Sequence, residues 1–432
     1  MENVARLSFS PGTVSFDRTR PHAYGDHVTS DPTPRERFLF CAFFFVLAHA
    51  IALWFVPFAT VLQAHGLEWL TPYALASTAV AAFISPIISG TMADRHFSAT
   101  RLLRYLCVGT GVLLFLTFLA IQLRWHSGII LALFQLQQLC SAPVWGLASM
   151  VVLASLSSPG RQFGALRVWG TFGWIAACLL ISFGLHADTS TLTGFVSSGA
   201  WLLTAALTYW LPSVQPQAAP TQRHWKDLLG LDTFQLLRHP GHRSVFLTAG
   251  LLSIPLAAFY PFTALHLHDL GFKSISAAMS LGQITEAIAM YALSPLLSRF
   301  KLRTLFLWAI LTSLLRYVLF AGNSMPGLLS GVFLHGICFT LFFIPAQIYI
   351  EQHIDRAMRF RAQALMTILI SGFGNLFGYL GCGWLRTLCS RDGHTLWTLY
   401  WSILAGAVLA VGLYFIRSAS SLTGNKSAPT HT

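Results

Sequence analysis

The chain has 432 residues, of which 55% are hydrophobic and only 10% charged, and its mean hydropathy is +0.62. These values exclude an ordinary soluble globular protein and indicate an integral membrane protein. The formal net charge is +12, but Lys and Arg lie mainly in alternate polar segments between apolar runs, which argues against a nucleic-acid partner. The seven cysteines show no CxxC or metal-ligand spacing, so we expect no metal site and no cofactor.

Twelve apolar stretches are long enough to cross a bilayer, and helices are the structure that satisfies their backbone groups there. We number them spans 1 to 12, at about 38–62, 72–92, 102–123, 128–153, 164–186, 194–211, 244–267, 275–297, 303–322, 327–350, 362–385 and 394–416. The sequence therefore predicts an all-α integral membrane protein. Its predicted parts are a tail at 1–37, a six-helix half at 38–211, a linker with an amphipathic helix at 212–243, a second six-helix half at 244–417 and a tail at 418–432.

The positive charges predict the orientation of the chain in the membrane. Of the 27 Lys and Arg residues, 21 fall in the tails, the linker and the loops on one side of the predicted bundle, against 4 on the other. The remaining two, Arg167 and Arg316, lie well inside spans. Because positive loops stay on the cytoplasmic side, we expect both termini in the cytoplasm of a multi-pass inner-membrane protein.

The two predicted halves are of nearly equal length, and a short basic loop follows the second span of each. The loop after span 2 begins Gly-Thr-Met-Ala-Asp-Arg at residues 90–95. This layout and this motif resemble the major facilitator superfamily. The resemblance implies a pathway between the halves that opens alternately to either side of the membrane, and it makes Asp94 and Arg95 candidates for a gate.

Glu286 lies near the middle of span 8, deeper in an apolar run than any other Asp or Glu of the chain. A carboxylate at this depth is costly unless it is protonated, paired or in contact with water. Gln283, three residues earlier, projects from the same helical face. We interpret this face as a solute or proton site. A structural Glu paired with an Arg of another span is the alternative.

Two further faces carry polar or aromatic groups. In span 5, Arg167, Thr171 and Trp174 share one face, which suits a polar ring-bearing solute that stacks and accepts hydrogen bonds. An Arg that reaches the headgroups and a packed Trp are the alternative there. In span 10, His335 and Phe339 share a face, and a histidine can titrate near neutral pH. A histidine satisfied by packing is equally compatible with that pattern.

Several longer stretches narrow the resemblance. They include residues 167–174 (Arg-Val-Trp-Gly-Thr-Phe-Gly-Trp), 283–286 (Gln-Ile-Thr-Glu) and 361–364 (Arg-Ala-Gln-Ala). From the first span to the last, the chain resembles the nucleoside:proton symporter family of the major facilitators. The resemblance implies a nucleoside-like solute and protons as partners. It places Arg167, Thr171, Trp174, Gln283 and Glu286 in the solute site, with His335 at the position of a family Tyr and Phe339 at that of a family Phe.

The chain departs from the family pattern at two places. Thr340 stands where the family carries an Asp tied to proton coupling, and residues 255–260 of span 7 lack the Gln and Asn of other members. Glu286 or His335 would then carry the proton, or the protein would be a uniporter.

We predict a monomeric transporter of nucleosides or similar polar ring solutes. The alternatives are transport of another small organic solute, such as an aromatic acid or an oligosaccharide, and a non-transporting membrane sensor. An enzyme is not expected, since HExxH, GxSxG and paired intramembrane Asp residues are absent from the sequence.

Overall fold

The computed structural model describes residues 31–95, 98–214, 231–355 and 358–419, apart from the side chains of 85–95, 159–161, 231–233 and 360. Nearly all of these residues are helical, as expected where backbone groups must be satisfied without water. The α-helices are Pro34–Phe55, Phe58–Ala64, Thr71–Arg95, Ala99–Gln122, Ser127–Ser141, Val144–Leu153, Pro159–Leu179, Leu192–Leu207, Pro240–Leu256, Phe259–Asp269, Ile275–Met279, Leu281–Arg299, Leu302–Ala321, Met325–His353, Arg359–Thr367, Asn375–Leu388 and Trp397–Ser418.

Each of the twelve predicted spans coincides with one helix or with two consecutive helices. Among the described residues, nine of these stretches are long and apolar enough to cross a membrane by length and composition, and Leu192–Leu207 is a shorter apolar helix. Thr71–Arg95 and the broken helix from Ile275 to Arg299 occupy the positions of spans 2 and 8. The prediction of an all-α membrane fold is confirmed.

Several spans are interrupted where the sequence predicted continuous helices. Span 1 breaks between Phe55 and Phe58, and span 4 between Ser141 and Val144. Proline explains both breaks, because Pro57 and Pro143 lack a backbone N–H and clash with the preceding turn. Spans 5 and 11 instead contain π-helical turns, at Leu180–Gly184 and Ile368–Gly374.

The connections before span 7 and before span 12 have their own structure. Leu231–Arg238 is a 3₁₀ helix, so the described end of the predicted amphipathic α-helix takes a tighter form, and residues 215–230 lie outside the described ranges. Between spans 11 and 12, Ser390–Arg391 and His394–Thr395 pair as an antiparallel hairpin. The two residues of its turn, Asp392 and Gly393, have φ angles of 52° and 80°, as a tight hairpin turn requires.

Buried apolar side chains form two clusters. One draws mainly on spans 1 to 6 and the other mainly on spans 7 to 12. The outer surface is also apolar, with Tyr291 91% exposed and large aromatic groups such as Trp69, Trp125 and Trp210 exposed near span ends. An apolar surface with aromatic residues at its rims is what a lipid environment favours.

We call the side that holds Pro34 and Ser418 the terminal face and the opposite side the far face. Hydrogen bonds between the first six and the last six spans gather on the far face, and we call this set the far-face bridge. Its members are Gln63 Nε2 to Asp269 Oδ1 at 3.1 Å, the Ser276 N–H to Asp188 Oδ1 at 2.6 Å, the Ala277 N–H to Ser182 Oγ at 3.0 Å, and Arg386 Nη2 to Glu68 Oε2 at 3.4 Å.

Candidate functional site

Glu286 of span 8 and Arg167 of span 5 lie within electrostatic reach of each other. An acid of the last six spans therefore faces a guanidinium of the first six. Gln283, one turn before Glu286, also interacts with the Glu286 carboxylate. Arg167 is exposed, whereas Gln283 and Glu286 are half-buried. Arg167 and Glu286 lie on opposite six-span halves and attract each other. Their accessible atoms therefore border the space between the two halves.

The crossing of spans 8 and 10 holds Glu286 in place. A Cβ atom at Gly336 would lie 2.0 Å from the backbone nitrogen of Glu286 and 2.3 Å from the carbonyl oxygen of Gly282. A Cβ atom at Gly282 would in turn lie 3.2 Å from the His335 ring. Only glycine permits helices to approach this closely. Glu286 and His335 therefore share one tight crossing, although they lie on different spans.

Aromatic rings from both halves stand beside the acid. The ring of Trp174 in span 5 lies 6.0 Å from the rings of both Phe55 in span 1 and Tyr260 in span 7, centroid to centroid. Phe55 and Tyr260 are themselves 5.0 Å apart. The Tyr260 hydroxyl accepts a hydrogen bond of 2.9 Å from Gln283 Nε2. These rings and the amide form one continuous surface, which suits a solute with a flat ring and polar edges.

His335 faces away from lipid and contacts the buried Arg316. Its Nδ1 atom lies 2.8 Å from Arg316 Nη1, and its ring stacks on Phe259 at 3.7 Å with an interplanar angle of 5°. His335 is thus the partner that Arg316 requires inside span 9. A proton on Nδ1 would break this hydrogen bond and place a second positive charge beside the guanidinium. The contact therefore weighs against His335 as a proton carrier and in favour of Glu286.

The other predicted residues differ in their surroundings. Thr171 is half-buried, one turn after Arg167. Phe339 is 38% exposed and contacts His335 and Phe343, with centroid distances of 6.3 and 4.9 Å. Thr340 is fully buried, and in the described part of the chain its hydroxyl has no hydrogen-bond partner. The predicted gate residues Asp94 and Arg95 have side chains outside the described set.

The sequence interpretation missed Phe55 and Tyr260, which complete the aromatic surface. A signal was present, because both residues lie within a few positions of a proline inside an apolar span, at Pro57 and Pro255. Proline kinks a transmembrane helix, and the backbone groups that it frees must be satisfied by neighbouring helices, side chains or water, as they can be at a bundle centre. The signal appears at equivalent places, in the first span of each half.

For metals, the described residues hold no cluster of three or more His, Cys, Asp or Glu suited to an ion.

Residues 38–419 match the family described as "Nucleoside H+ symporter". Two proteins of Escherichia coli (strain K12) are similar along most of their length. The chain is 31% identical to "Putative nucleoside transporter YegT" over 340 residues, which is 76% of this chain and 79% of that protein. It is 25% identical to "Nucleoside permease NupG" over 359 residues, or 79% of this chain and 85% of that protein.

Solved structures with the same fold are also known. The crystal structure of the nucleoside transporter NupG superposes with a TM-score of 0.79 at 21% identity, and the match covers 88% of this chain and 98% of that one. The POT family transporter PepTSo gives a TM-score of 0.68 at 14% identity. At these identities the likeness concerns the fold alone, and it confirms the predicted transporter architecture.

Proposed function

The chain belongs to the nucleoside H⁺ symporter family, and from this premise we propose that it takes up nucleosides together with protons by alternating access. Its two halves, 38–211 and 244–417, would rock against each other around the site between them. One observation supports this most strongly. Glu286 faces Arg167 across the division, beside the rings of Trp174 and Tyr260. One chain supplies both sides of this site, so the monomer is the expected working unit.

Each group of the site has a proposed role. Trp174 stacks on the base, while Gln283 and Thr171 hydrogen-bond to the base edges or the ribose hydroxyls. Arg167 binds a carbonyl or hydroxyl oxygen, and Phe339 closes the apolar side of the site together with the His335 ring. These pairings follow the ordinary hydrogen-bond chemistry of the side chains.

Glu286 is the proposed proton carrier. While it is ionised, it attracts Arg167 and ties the halves together. Protonation neutralises Glu286, so its attraction to Arg167 is lost and the two halves are free to move. The cost of a buried negative charge no longer opposes this movement in the membrane interior. Proton binding and the movement of the halves would therefore be coupled at one residue. His335, the second candidate, already uses its Nδ1 atom to bind Arg316.

Charge distribution supports the proposed orientation. With 21 of the 27 Lys and Arg residues on the side of the termini, that face is the cytoplasmic one. The far-face bridge would then close the outer side. We propose that Asp94 and Arg95 form part of the gate that closes the cytoplasmic side in the other conformation.

Uniport is the second candidate, favoured by the full burial of Thr340 in a position without an acid. One experiment separates the two. The full chain is reconstituted into vesicles, and uptake of radiolabelled uridine and adenosine is followed with and without an inward proton gradient. Accumulation above equilibrium that requires the gradient supports the symporter, and uptake that only equilibrates supports the uniporter. Absence of both uptake and binding would refute nucleoside transport, while binding without flux would indicate a sensor.

The variant Glu286→Gln makes the test specific. It should abolish gradient-driven accumulation, because an amide cannot carry the proton. Glu351→Gln is the matched control, since Glu351 lies on the terminal face in an exposed ion pair with Arg359 at 3.2 Å. That control should accumulate nucleoside as the unaltered chain does. Unchanged gradient dependence in Glu286→Gln would remove Glu286 from the coupling mechanism.

A further inference from the structure

Arg316 is a buried charge without an acidic partner. Its side chain is fully buried in span 9, and within the described residues no carboxylate forms an ion pair with it. The guanidinium carbon lies 5.1 Å from the centre of the Phe259 ring and 4.7 Å from that of Tyr317. Two of its nitrogens, Nε and Nη2, have no hydrogen-bond partner in that part of the chain. Burying a charge in this way is costly, so the arrangement calls for an explanation beyond packing.

The contact between Arg316 and His335 determines where the histidine proton lies. A guanidinium has only donors and keeps its proton in proteins, so Nη1 donates across the 2.8 Å to Nδ1. Nδ1 must then offer its lone pair. A neutral imidazole carries its single proton on the other nitrogen, so His335 is held with the proton on Nε2.

The direction of the ring is fixed as well. The imidazole stacks on Phe259 at 3.7 Å, and the Tyr260 ring packs against it edge-on at 5.7 Å. A partial rotation of the ring would break both contacts, and a 180° flip would replace Nδ1 by a carbon atom opposite Arg316 and so break that bond. No acceptor for Nε2 is found among the described residues, and Tyr260 links this ring to Gln283 and Trp174 of the site. The Nε2 N–H is therefore left available to a solute.

We propose that Arg316 is a positioning residue that holds His335 as a neutral hydrogen-bond donor, so that the solute must offer an acceptor atom at this point. The solute being a nucleoside rests on the function proposed above; its acceptor would be a base carbonyl, an unprotonated ring nitrogen or a ribose oxygen. His335 takes up no proton during transport. The charged and titratable groups that surround it are Arg316, Cys338, Tyr260 and, across the Gly336 crossing, Glu286.

The tautomer can be read directly by nuclear magnetic resonance of the full chain labelled with ¹⁵N-histidine, using His335→Gln to assign the signal. We expect an unprotonated Nδ1 and a protonated Nε2 from pH 8 down to pH 5.5. In Arg316→Met, which keeps the length of the side chain but has no donor, both neutral tautomers should appear within this range. A proton on Nδ1 in the unaltered chain, or an imidazolium above pH 5.5, would overturn the proposal.

Transport kinetics test the donor itself. His335→Gln keeps an acceptor toward Arg316 and an N–H donor toward the solute, so its KM for uridine or adenosine should rise less than that of a variant without the donor. His335→Phe keeps a ring and removes the donor, so its KM should exceed that of His335→Gln roughly 3- to 10-fold, the scale of one hydrogen bond. Equal KM values for the Phe and Gln variants would refute the donor role.

The two sets of results separate this proposal from the proposed function. The tautomer spectrum needs no solute, so it can be as expected even if neither nucleoside is transported. In that case the nucleoside assignment fails and the role of Arg316 stands. Normal nucleoside uptake together with the opposite tautomer of His335 would support the proposed transport function and refute the positioning role of Arg316.

Discussion

Trp174 is the residue whose part in solute binding is easiest to isolate. Base–aromatic stacking contributes roughly 1–3 kcal/mol, so Trp174→Ala should weaken binding of uridine and adenosine alike by roughly 5- to 150-fold. Trp169→Ala is the matched control, because Trp169 lies on another face of the same span, 43% exposed and packed on Phe172. Calorimetric titration of both variants measures the difference. Equal losses in the two variants would mean that Trp174 does not stack on the solute.

At the same scale, the sequence predicted which residues are unusual but not which of them meet. Glu286 could be recognised from its depth in an apolar run, because burial of an acid is costly wherever the neighbouring helices lie. The contact between Arg316 and His335 could not be recognised from the sequence, since it depends on how spans 9 and 10 are rotated about their axes. Helical periodicity gives faces within one span, and it carries no information about the rotation of its neighbour.

Among the helices, the crossing of spans 8 and 10 is the one most sensitive to a small change. Gly336→Ala would place a methyl group 2.0 Å from the Glu286 backbone, so the two spans must separate and the acid must move. Overpacking of this kind costs roughly 1–3 kcal/mol. We expect a lower melting temperature and loss of most nucleoside uptake. Gly381→Ala is the control, because its methyl group would meet nothing within 4 Å. If the Gly336→Ala protein were as stable and as active as that control, spans 8 and 10 could not be in such close contact at Gly336.

The span positions were predictable because bilayer thickness fixes how long an apolar helix must be. The GxxxG spacing of Gly374 and Gly378 in span 11 indicates a close helix-packing face, and a Cβ atom at these positions would lie 2.6 Å from Ser253 Cβ and 2.5 Å from Ala257 Cβ, respectively. The π-helical turn at Ile368–Gly374 was not predictable. It changes the hydrogen-bond pattern by one residue, while the apolar composition, from which spans are recognised, stays the same.

For the whole molecule, the far-face bridge predicts that movement of the halves can be blocked at one point. Gln63 Nε2 and Asp269 Oδ1 are 3.1 Å apart on opposite halves, so the two thiols of the pair Gln63→Cys with Asp269→Cys should be joined by a short bifunctional thiol reagent that has a reducible spacer. Uptake into vesicles should then stop and return when a reductant is added. Each single cysteine variant, treated with the same reagent, should continue to transport. Transport by the fully cross-linked double variant would contradict alternating access through this face.

The far-face bridge also affects how strongly an external solute is bound. Three hydrogen bonds and one ion pair of this kind contribute roughly 2–5 kcal/mol in total, which favours the state closed at the far face, the proposed outer side, by roughly 30- to several-thousand-fold when no contacts on the terminal face oppose them. A solute outside the cell would bind only the rare open form, so its apparent affinity would be weaker than the intrinsic affinity of the site by the same factor. The polar residues at the outer rim would therefore determine the concentration range in which the protein works, although they touch no solute.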